Sequence, residues 1–332
     1  MLTSKTIRNA SLVMLFTGLC ASSASVILPL LQEHYDLSYD FSGLLLAFLS
    51  AGNLAAALLC GFLPRFLGVR RTVLLLSLGT LVGYLLMLIS GFWLFLILGF
   101  LLVGFGKGTS LNNATVAAGT VAKDRTGVVN LLNALYAGGS LLAPFLYLAF
   151  GGFDFWQLPL LLLAAGGGIV WVLFIAMKLD PEPAAAREKS DTRFLRDRHF
   201  WYSAGFLFGQ QCAEISVTGW LVTYFKDQRI LTGIFSQLTV TVIWSAMLIG
   251  RLLLAFVLPA ASRFRSMSNA SVGVLLPVGG IGAILMPYIT GAVAEYTGIR
   301  GGMMCSAAAL VIMIVFSILM KRSETDAPAG QL

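Results

Sequence analysis

Long apolar segments dominate this sequence and leave few folds open to it. Ten blocks of about 20 largely apolar residues follow one another along the 332 residues, with charged or turn-forming residues between them. A helix of that length crosses the ~30 Å hydrocarbon core of a lipid bilayer. Membrane barrel strands alternate polar and apolar side chains, and these blocks do not. The sequence therefore predicts an all-α, polytopic membrane helical bundle with ten transmembrane helices.

One long polar stretch divides the predicted spans into six and four. We therefore predict a six-helix bundle at 1–178, a cytoplasmic linker at 179–199, a four-helix bundle at 200–322 and a cytoplasmic tail at 323–332. The individual spans cover residues 10–31, 41–63, 72–90, 92–117, 128–150, 155–177, 200–224, 234–258, 270–293 and 301–320.

The charged residues indicate a membrane protein and predict its orientation. They make up only 11% of the chain, whereas a soluble domain carries about 25%. Seventeen of the 22 lysine and arginine residues fall on the same predicted side as the N-terminus, and three fall on the other. Because cytoplasmic loops are enriched in these residues, we predict that both termini are cytoplasmic, in a plasma membrane or a bacterial inner membrane. The net charge of +7 thus reflects topology rather than nucleic-acid binding.

The residues that usually carry catalysis or bind metals form no recognisable site. His34 and His199 fall in predicted loops on opposite faces, so they cannot share one metal ion. The four cysteines lie singly within apolar blocks and form neither a metal-binding pair nor a disulfide framework. A phosphate-binding Walker loop is also missing. We predict that the chain is not an enzyme and uses no cofactor.

Two sequence matches indicate that the second half repeats the first with a deletion. Residues 52–66 and 250–264 both read Gly-X, an apolar run and X-Arg-Phe, 198 residues apart. Residues 139–144 and 282–287 both run from Gly to Pro, but only 143 residues apart. The lost 55 residues match two membrane helices of about 20–25 residues and a short link. Either the matches arise by chance, or the second half lacks its third and fourth helices, with the gap near 265–269.

The loop after the second span resembles a motif of the major facilitator superfamily. Residues 61–71 keep the glycines and basic residues of that motif at Gly61, Gly68, Arg70 and Arg71. The resemblance implies two six-helix bundles around a central cavity, here without the missing pair. The loop departs from the family at Arg65, where the family has an Asp in a charge network that steadies one conformation.

Two further stretches resemble the fucose–proton symporter branch of that superfamily. They are Asn-Leu-Leu-Asn-Ala-Leu-Tyr-Ala-Gly-Gly at 130–139 and Ala-Glu-Ile-Ser-Val-Thr-Gly-Trp-Leu-Val-Thr-Tyr at 213–224. The antiporter signature of the fifth helix has paired glycines after its proline, but here Pro144 is followed by Phe145. This difference disfavours drug–proton exchange.

Two ionisable residues fall at membrane depth and are the strongest functional candidates. Glu214 lies midway along the seventh span, and Lys107 lies midway along the fourth. The resemblance implies that both helices line the central cavity. A buried carboxylate without a fixed partner can bind and release a proton, so we predict that Glu214 couples transport to protons and that Lys107 contacts the solute or pairs with charge. The alternative is a static Glu214–Lys107 ion pair that only joins the halves.

Amides and aromatic rings in the same predicted spans provide the remaining cavity candidates. Such a mixture suits a polyhydroxylated solute, although hydrogen bonding between helices is an equally simple role. The predicted cavity residues, besides Lys107, are Asn112, Asn113, Asn130, Asn133, Tyr136, Gln210, Gln211 and Trp220.

The sequence therefore predicts a proton-coupled secondary transporter of a small polar solute, such as a sugar, that works by alternating access. Its predicted partners are the solute, protons and the lipid bilayer, and no nucleic acid. The loss of a helix pair would open one side of the bundle, which a second copy of the chain could cover. The competing hypotheses are a degenerate, non-transporting relative of a permease and a drug or metabolite exporter.

Overall fold

The computed structural model describes residues 2–150, 156–179, 192–231, 234–257 and 269–325. Within these residues the regular structure is helical. The α-helices are α1 (Leu2–Ser22), α2 (Ala24–Tyr35), α3 (Tyr39–Phe62), α4 (Pro64–Leu67), α5 (Val69–Ile89), α6 (Trp93–Val121), α7 (Arg125–Phe150), α8 (Leu158–Ile175), α9 (Arg198–Asp227), α10 (Ile234–Val257) and α11 (Asn269–Thr325). A short 3-10 helix, Thr192–Arg196, precedes α9.

Seven helical segments within the described residues are long and apolar enough to cross a membrane. The predicted first span is divided between α1 and α2, and the predicted second to sixth spans correspond to α3, α5, α6, α7 and α8. Helix α9 is not among the seven, and α10 contributes only a shorter apolar segment, Phe235–Gly250. The predicted ninth and tenth spans both lie in α11. The number of ten spans therefore stays a prediction.

Local chemistry explains several of the helix boundaries. Asp197 precedes α9, and its carboxylate accepts a hydrogen bond of 2.9 Å from the backbone N–H of His199, which satisfies one of the unpaired donors at a helix start. Helix α5 follows Gly68, whose φ of 77° is a conformation that favours glycine. Within α11, Gly298 has a φ of 76° and breaks the helix between the two predicted spans.

The first half packs as one bundle. Helix α1 contacts α6, α7 and α8, and α5 lies against both α6 and α8. A core of fully buried side chains, including Leu28, Leu45, Leu96 and Leu160, joins α2, α3, α6 and α8. This arrangement places α6, which carries Lys107, against both α1 and α5.

Helices α9 and α11 share the most extensive contact in the second half. Three buried hydroxyls lie between them. The Ser216 and Thr290 hydroxyl oxygens are 2.7 Å apart, and Ser306 donates to Ser216 over 3.2 Å. Because Thr290 and Ser306 lie on opposite sides of the break at Gly298, these bonds tie both parts of α11 to α9.

Contacts between several helix pairs join the two halves. Helix α3 packs against α11, α7 packs against α10, and α2 packs against α9. At the α7–α10 contact the Thr241 hydroxyl donates to the Leu141 carbonyl over 3.2 Å. The predicted deletion point near 265–269 lies almost entirely outside the described residues, since α11 begins at Asn269.

Gly43 is the point of closest approach between α3 and α11. A Cβ atom placed there would lie 2.7 Å from the Pro287 carbonyl oxygen and 3.1 Å from the Gly291 Cα. Gly43→Ala is therefore expected to destabilise the protein by about 1–3 kcal/mol, because the helices must move apart. An apparent melting temperature in mild detergent measures the effect.

The matched control is Gly168→Ala in α8, where a Cβ meets nothing within 4 Å. Alanine is the better helix former by up to ~1 kcal/mol, so this variant should melt at the wild-type temperature or above. Equal melting of the two variants would contradict the tight contact at Gly43.

Candidate functional site

Glu214 lies midway along α9 and is partly buried. The side-chain amide of Gln210, one helical turn earlier, donates a hydrogen bond to its carboxylate. Among the described residues, Glu214 forms no ion pair with Lys107 or any other cation. The static Glu214–Lys107 pair considered above is thus not formed in this conformation. An amide partner compensates less of a carboxylate's charge than a cation does.

The predicted amide residues have different environments. Gln211 packs against Gly279 of α11. Asn113 donates to the Thr109 carbonyl over 2.9 Å and to the Cys60 sulfur over 3.3 Å, which links α6 to α3. The three remaining asparagines, Asn112, Asn130 and Asn133, are exposed. They lie towards the ends of α6 and α7 that are joined by the short loop at Lys123.

The two predicted cavity aromatics have different surroundings. The Tyr136 ring meets Trp244 of α10 edge to face, with 5.9 Å between ring centroids. Trp220 is fully buried, and its indole N–H donates to the Pro287 carbonyl over 3.1 Å. In this conformation Trp220 therefore packs between helices, and its contact with a solute stays a prediction.

Two polar side chains of α10 were not identified from the sequence. The Gln237 side-chain oxygen and the Trp244 indole nitrogen are buried and have no hydrogen-bond partner. They are seven residues apart, which places them on the same face of the helix. The available signal was the glutamine inside an apolar run, two turns from a tryptophan. A buried donor and acceptor without partners are costly unless a ligand or water bonds to them.

Lys107 lines a small cavity in the first half. Glycines on either side of it pack closely, with Gly106 against Thr80 of α5 and Gly108 against Ala56 of α3. The cavity wall otherwise consists of Thr17, Cys20, Thr80, Val103 and Val170. All of these residues belong to helices before the polar linker. The structure thus places Lys107 inside the first bundle.

Polar contacts close one end of the boundary between the halves. We call Glu33, Tyr39, Lys226, Asp227 and Glu295 the Tyr39 cluster. The Lys226 ammonium lies 2.7 Å from the Glu33 carboxylate. The Tyr39 hydroxyl donates to Asp227, and the Tyr39 backbone N–H donates to Glu295 over 2.8 Å. All three contacts cross between the halves at the ends of α2 and α9 and the start of α3.

Side chains near the end of α3, away from the Tyr39 cluster, are exposed. Leu58 and Phe62, near the end of α3, are 61% and 53% exposed. A Cβ atom at Gly61 would meet nothing within 4 Å. The exposed asparagines of α6 and α7 lie at this same end, because α3 and α6 run in one direction and α7 runs back. Polar contacts therefore join the two halves at the Tyr39 cluster.

Comparison with known proteins identifies the fold. The family model described as the Major Facilitator Superfamily matches residues 10–279, most of the chain. The chain belongs to the major facilitator superfamily. It is thus a multi-pass membrane protein of a transporter family.

Solved structures of superfamily transporters share the fold of this chain. The nucleoside transporter NupG matches with a TM-score of 0.68 and 13% identity, over 95% of this chain and 98% of that one. A bacterial homologue of the human lysosomal transporter Spinster, in an inward-facing and occupied conformation, matches with a TM-score of 0.67 and 13% identity, over 96% of this chain and 97% of that one. At this identity the likeness shows the fold alone. Among curated protein sequences, none matches the chain.

The superfamily loop motif follows the end of α3 that lies away from the Tyr39 cluster. Arg70 donates to the Ile175 carbonyl at the end of α8 over 3.1 Å, where a cation complements the helix dipole. Arg65 lies 6.0 Å from the centre of the Phe62 ring, and Arg71 is exposed. The motif therefore fixes the turn between α3 and α5 and ties it to α8. Within the described residues, no group of three or more His, Cys, Asp or Glu could hold a metal ion.

The Tyr39 cluster should control access from its end of the transporter. Tyr39→Phe removes the bond to Asp227 but keeps the ring, whose centre lies 6.1 Å from that of Trp220. Loss of one hydrogen bond worth about 1 kcal/mol should open this end about five-fold more often. The labelling rate of Ser42→Cys, a buried position, by a charged maleimide measures this opening in a chain whose native cysteines are replaced.

Tyr296→Phe is the matched control, because Tyr296 is 90% exposed and lies on α11 near the same end. Its labelling rate should equal that of the parent chain. Equal rates in Tyr39→Phe and the parent would show that the Tyr39 hydroxyl does not hold this end closed.

Proposed function

We propose that this protein is a secondary active transporter that moves a small polar solute, a sugar or related metabolite, together with protons by alternating access. The observation that carries the proposal is the Glu214 carboxylate, held at the middle of α9 by the amide of Gln210. A charged carboxylate at this depth in the membrane is energetically unfavourable, and such residues commonly have a functional role. Binding of a proton removes the charge. Proton uptake and solute binding can therefore favour the same conformational change.

Alternating access is supported by the polar contacts that join the halves at the Tyr39 cluster. The Tyr39 cluster consists of hydrogen bonds and an exposed ion pair, which are individually weak and can break and reform. The positive-inside distribution favours a cytoplasmic location for the opposite end, in a plasma membrane or a bacterial inner membrane. The Tyr39 cluster would then join the halves at the non-cytoplasmic end.

A polyhydroxylated solute suits the side chains along the boundary. Gln210, Gln211 and the exposed Asn133 offer both donors and acceptors, and Tyr136 offers an aromatic face. The buried, unpaired groups of Gln237 and Trp244 add an acceptor and a donor. NupG is a nucleoside transporter, so nucleosides, which carry a sugar ring, belong beside sugars among the solutes to test.

The contacts between the halves support the proposed deletion of one helix pair. The sequence repeat equates α3 with α10, and α7 with the first part of α11. The observed contacts are α3 with α11 and α7 with α10. If each helix is replaced by its equivalent in the other half, the α3–α11 contact becomes the α10–α7 contact. This symmetry is expected if residues 270–293 form the fifth helix of the second half. The side opened by the missing pair would then be covered by lipid or by a second copy of the chain.

The membership of the fucose–proton symporter branch is part of the proposal and rests on the two sequence stretches in α7 and α9. Glu214 lies between Gln210 and Thr218, and the Thr218 hydroxyl donates to the Glu214 carbonyl over 2.7 Å. This bond makes the turn that carries the carboxylate well defined.

A melting curve of the purified protein in mild detergent, recorded against sugars, polyols and nucleosides, tests the proposed function. A ligand that binds the folded state raises the melting temperature in proportion to the logarithm of its concentration. We expect one class of solute to do so in the parent protein and to do so less in Glu214→Gln. A broad transition that responds to no solute would favour the non-transporting alternative.

A further inference from the structure

The cavity around Lys107 lies inside the first bundle rather than between the halves. Its wall comes from α1, α5, α6 and α8, and its lining residues are Thr17, Cys20, Thr80, Val103, Lys107 and Val170. The cavity is too small for a sugar or a nucleoside. Any ligand here is therefore distinct from the transported solute.

Two polar groups of this cavity, Lys107 and Thr17, lack protein partners. No hydrogen bond or ion pair joins Lys107 to another residue in the part of the chain that the structure describes. Thr17 is 4% exposed, and its hydroxyl oxygen has no hydrogen-bond partner. The Cys20 thiol instead donates to the Leu163 carbonyl. The cavity thus holds one cation and a buried hydroxyl that are both free to bond to a guest.

The chemistry of these groups selects a small anion. An ammonium offers three donors and no acceptor, and a threonine hydroxyl can add one more donor. A positive charge within the hydrocarbon layer is unfavourable unless an opposite charge lies beside it. Water would satisfy the donors but would leave the charge uncompensated, whereas a monatomic anion satisfies both requirements in the same space.

We propose that Lys107 and Thr17 bind a chloride ion within the first bundle. The ion neutralises Lys107 and contacts the hydroxyls of α1 and α5, so it joins three helices that otherwise meet through apolar side chains and glycines. Chloride binding is then a structural requirement of the first bundle. This proposal is independent of the proposed transport function, because the site does not include Glu214 or the boundary between the halves.

Melting curves in chloride and in gluconate at equal ionic strength test the proposal. Gluconate is too large for the cavity, so its salt provides the reference. We expect chloride and bromide to raise the melting temperature of the parent protein in a saturable manner, through binding to the folded state. Thr17→Val, which keeps the side-chain shape, should weaken the apparent chloride affinity about five-fold, as expected for one lost hydrogen bond.

Lys107→Met should abolish the chloride response whether the variant is more or less stable than the parent. Lys123→Met, at an exposed loop position, should keep the full response. If Lys107→Met does not fold, the chloride titration of Thr17→Val still tests the proposal. Identical melting of the parent in chloride and gluconate, or an unchanged chloride affinity in Thr17→Val, would overturn the proposal.

Discussion

Glu214→Gln is expected to abolish proton-driven accumulation of the solute in vesicles that contain the purified protein. One pH unit supplies about 1.4 kcal/mol per proton, which sustains about ten-fold accumulation for one coupled proton. Glutamine has nearly the shape of glutamate but cannot carry the proton, so accumulation should fall to about one-fold. Exchange of labelled solute without a pH gradient should continue, since the amide can still hydrogen-bond to Gln210. Uptake with and without the gradient measures both quantities.

Asp124→Asn is a suitable control for this experiment. Asp124 is exposed in the loop before α7, where its side chain accepts from the Gly127 backbone N–H over 3.0 Å, and an asparagine oxygen can do the same. This variant should accumulate solute as the parent does. Gradient-driven accumulation that persists in Glu214→Gln would assign the proton to another group.

Trp220→Ala is expected to cause the largest loss of stability of any substitution considered. Trp220 is the largest fully buried side chain, and it packs against Gly291 of α11 and near Tyr39 of α3. Removal of a buried tryptophan costs about 3–5 kcal/mol through lost contacts and a residual cavity. The apparent melting temperature and the fraction of monodisperse protein in detergent should both fall.

Two companion variants separate packing from hydrogen bonding at Trp220. Trp220→Phe keeps most of the ring and loses the bond to the Pro287 carbonyl, so it should cost less than the alanine variant. Trp93→Ala removes a ring that is 54% exposed and should change the melting temperature little. A mild effect of Trp220→Ala would instead favour a cavity role for this residue over a packing role.

The sequence predicts the helical fold well because each apolar block carries its own signal. Hydrophobic length alone places α3, α5, α6, α7 and α8, and glycine marks the turn at Gly68 and the break at Gly298. The number of spans is harder to predict. Helix α9 contains a carboxylate at mid-helix and two neighbouring glutamines, so composition alone does not distinguish a polar membrane helix from an amphipathic one.

The surroundings of individual side chains could be predicted less well from the sequence, because the direction in which a side chain points depends on packing between helices. The position of Lys107 along α6 follows from the sequence, but its neighbours are decided by the close contacts of Gly106 and Gly108. The burial of Trp220 likewise depends on the approach of α11 at Gly291. Gln237 and Trp244 gave no signal beyond one polar residue in an apolar run, and only the three-dimensional arrangement shows that their polar atoms lack partners.

Solute-dependent proton movement is the most direct test of the central claim, which is that this chain couples a polar solute to protons at Glu214. Vesicles containing the protein and an internal pH dye would receive, without any imposed gradient, the solute class selected by the melting curves. If Glu214 couples the solute to protons, addition of that solute acidifies the vesicle interior. Glu214→Gln vesicles of equal protein content show no acidification. Solute entry with no change in internal pH, or equal acidification in both proteins, would contradict this claim.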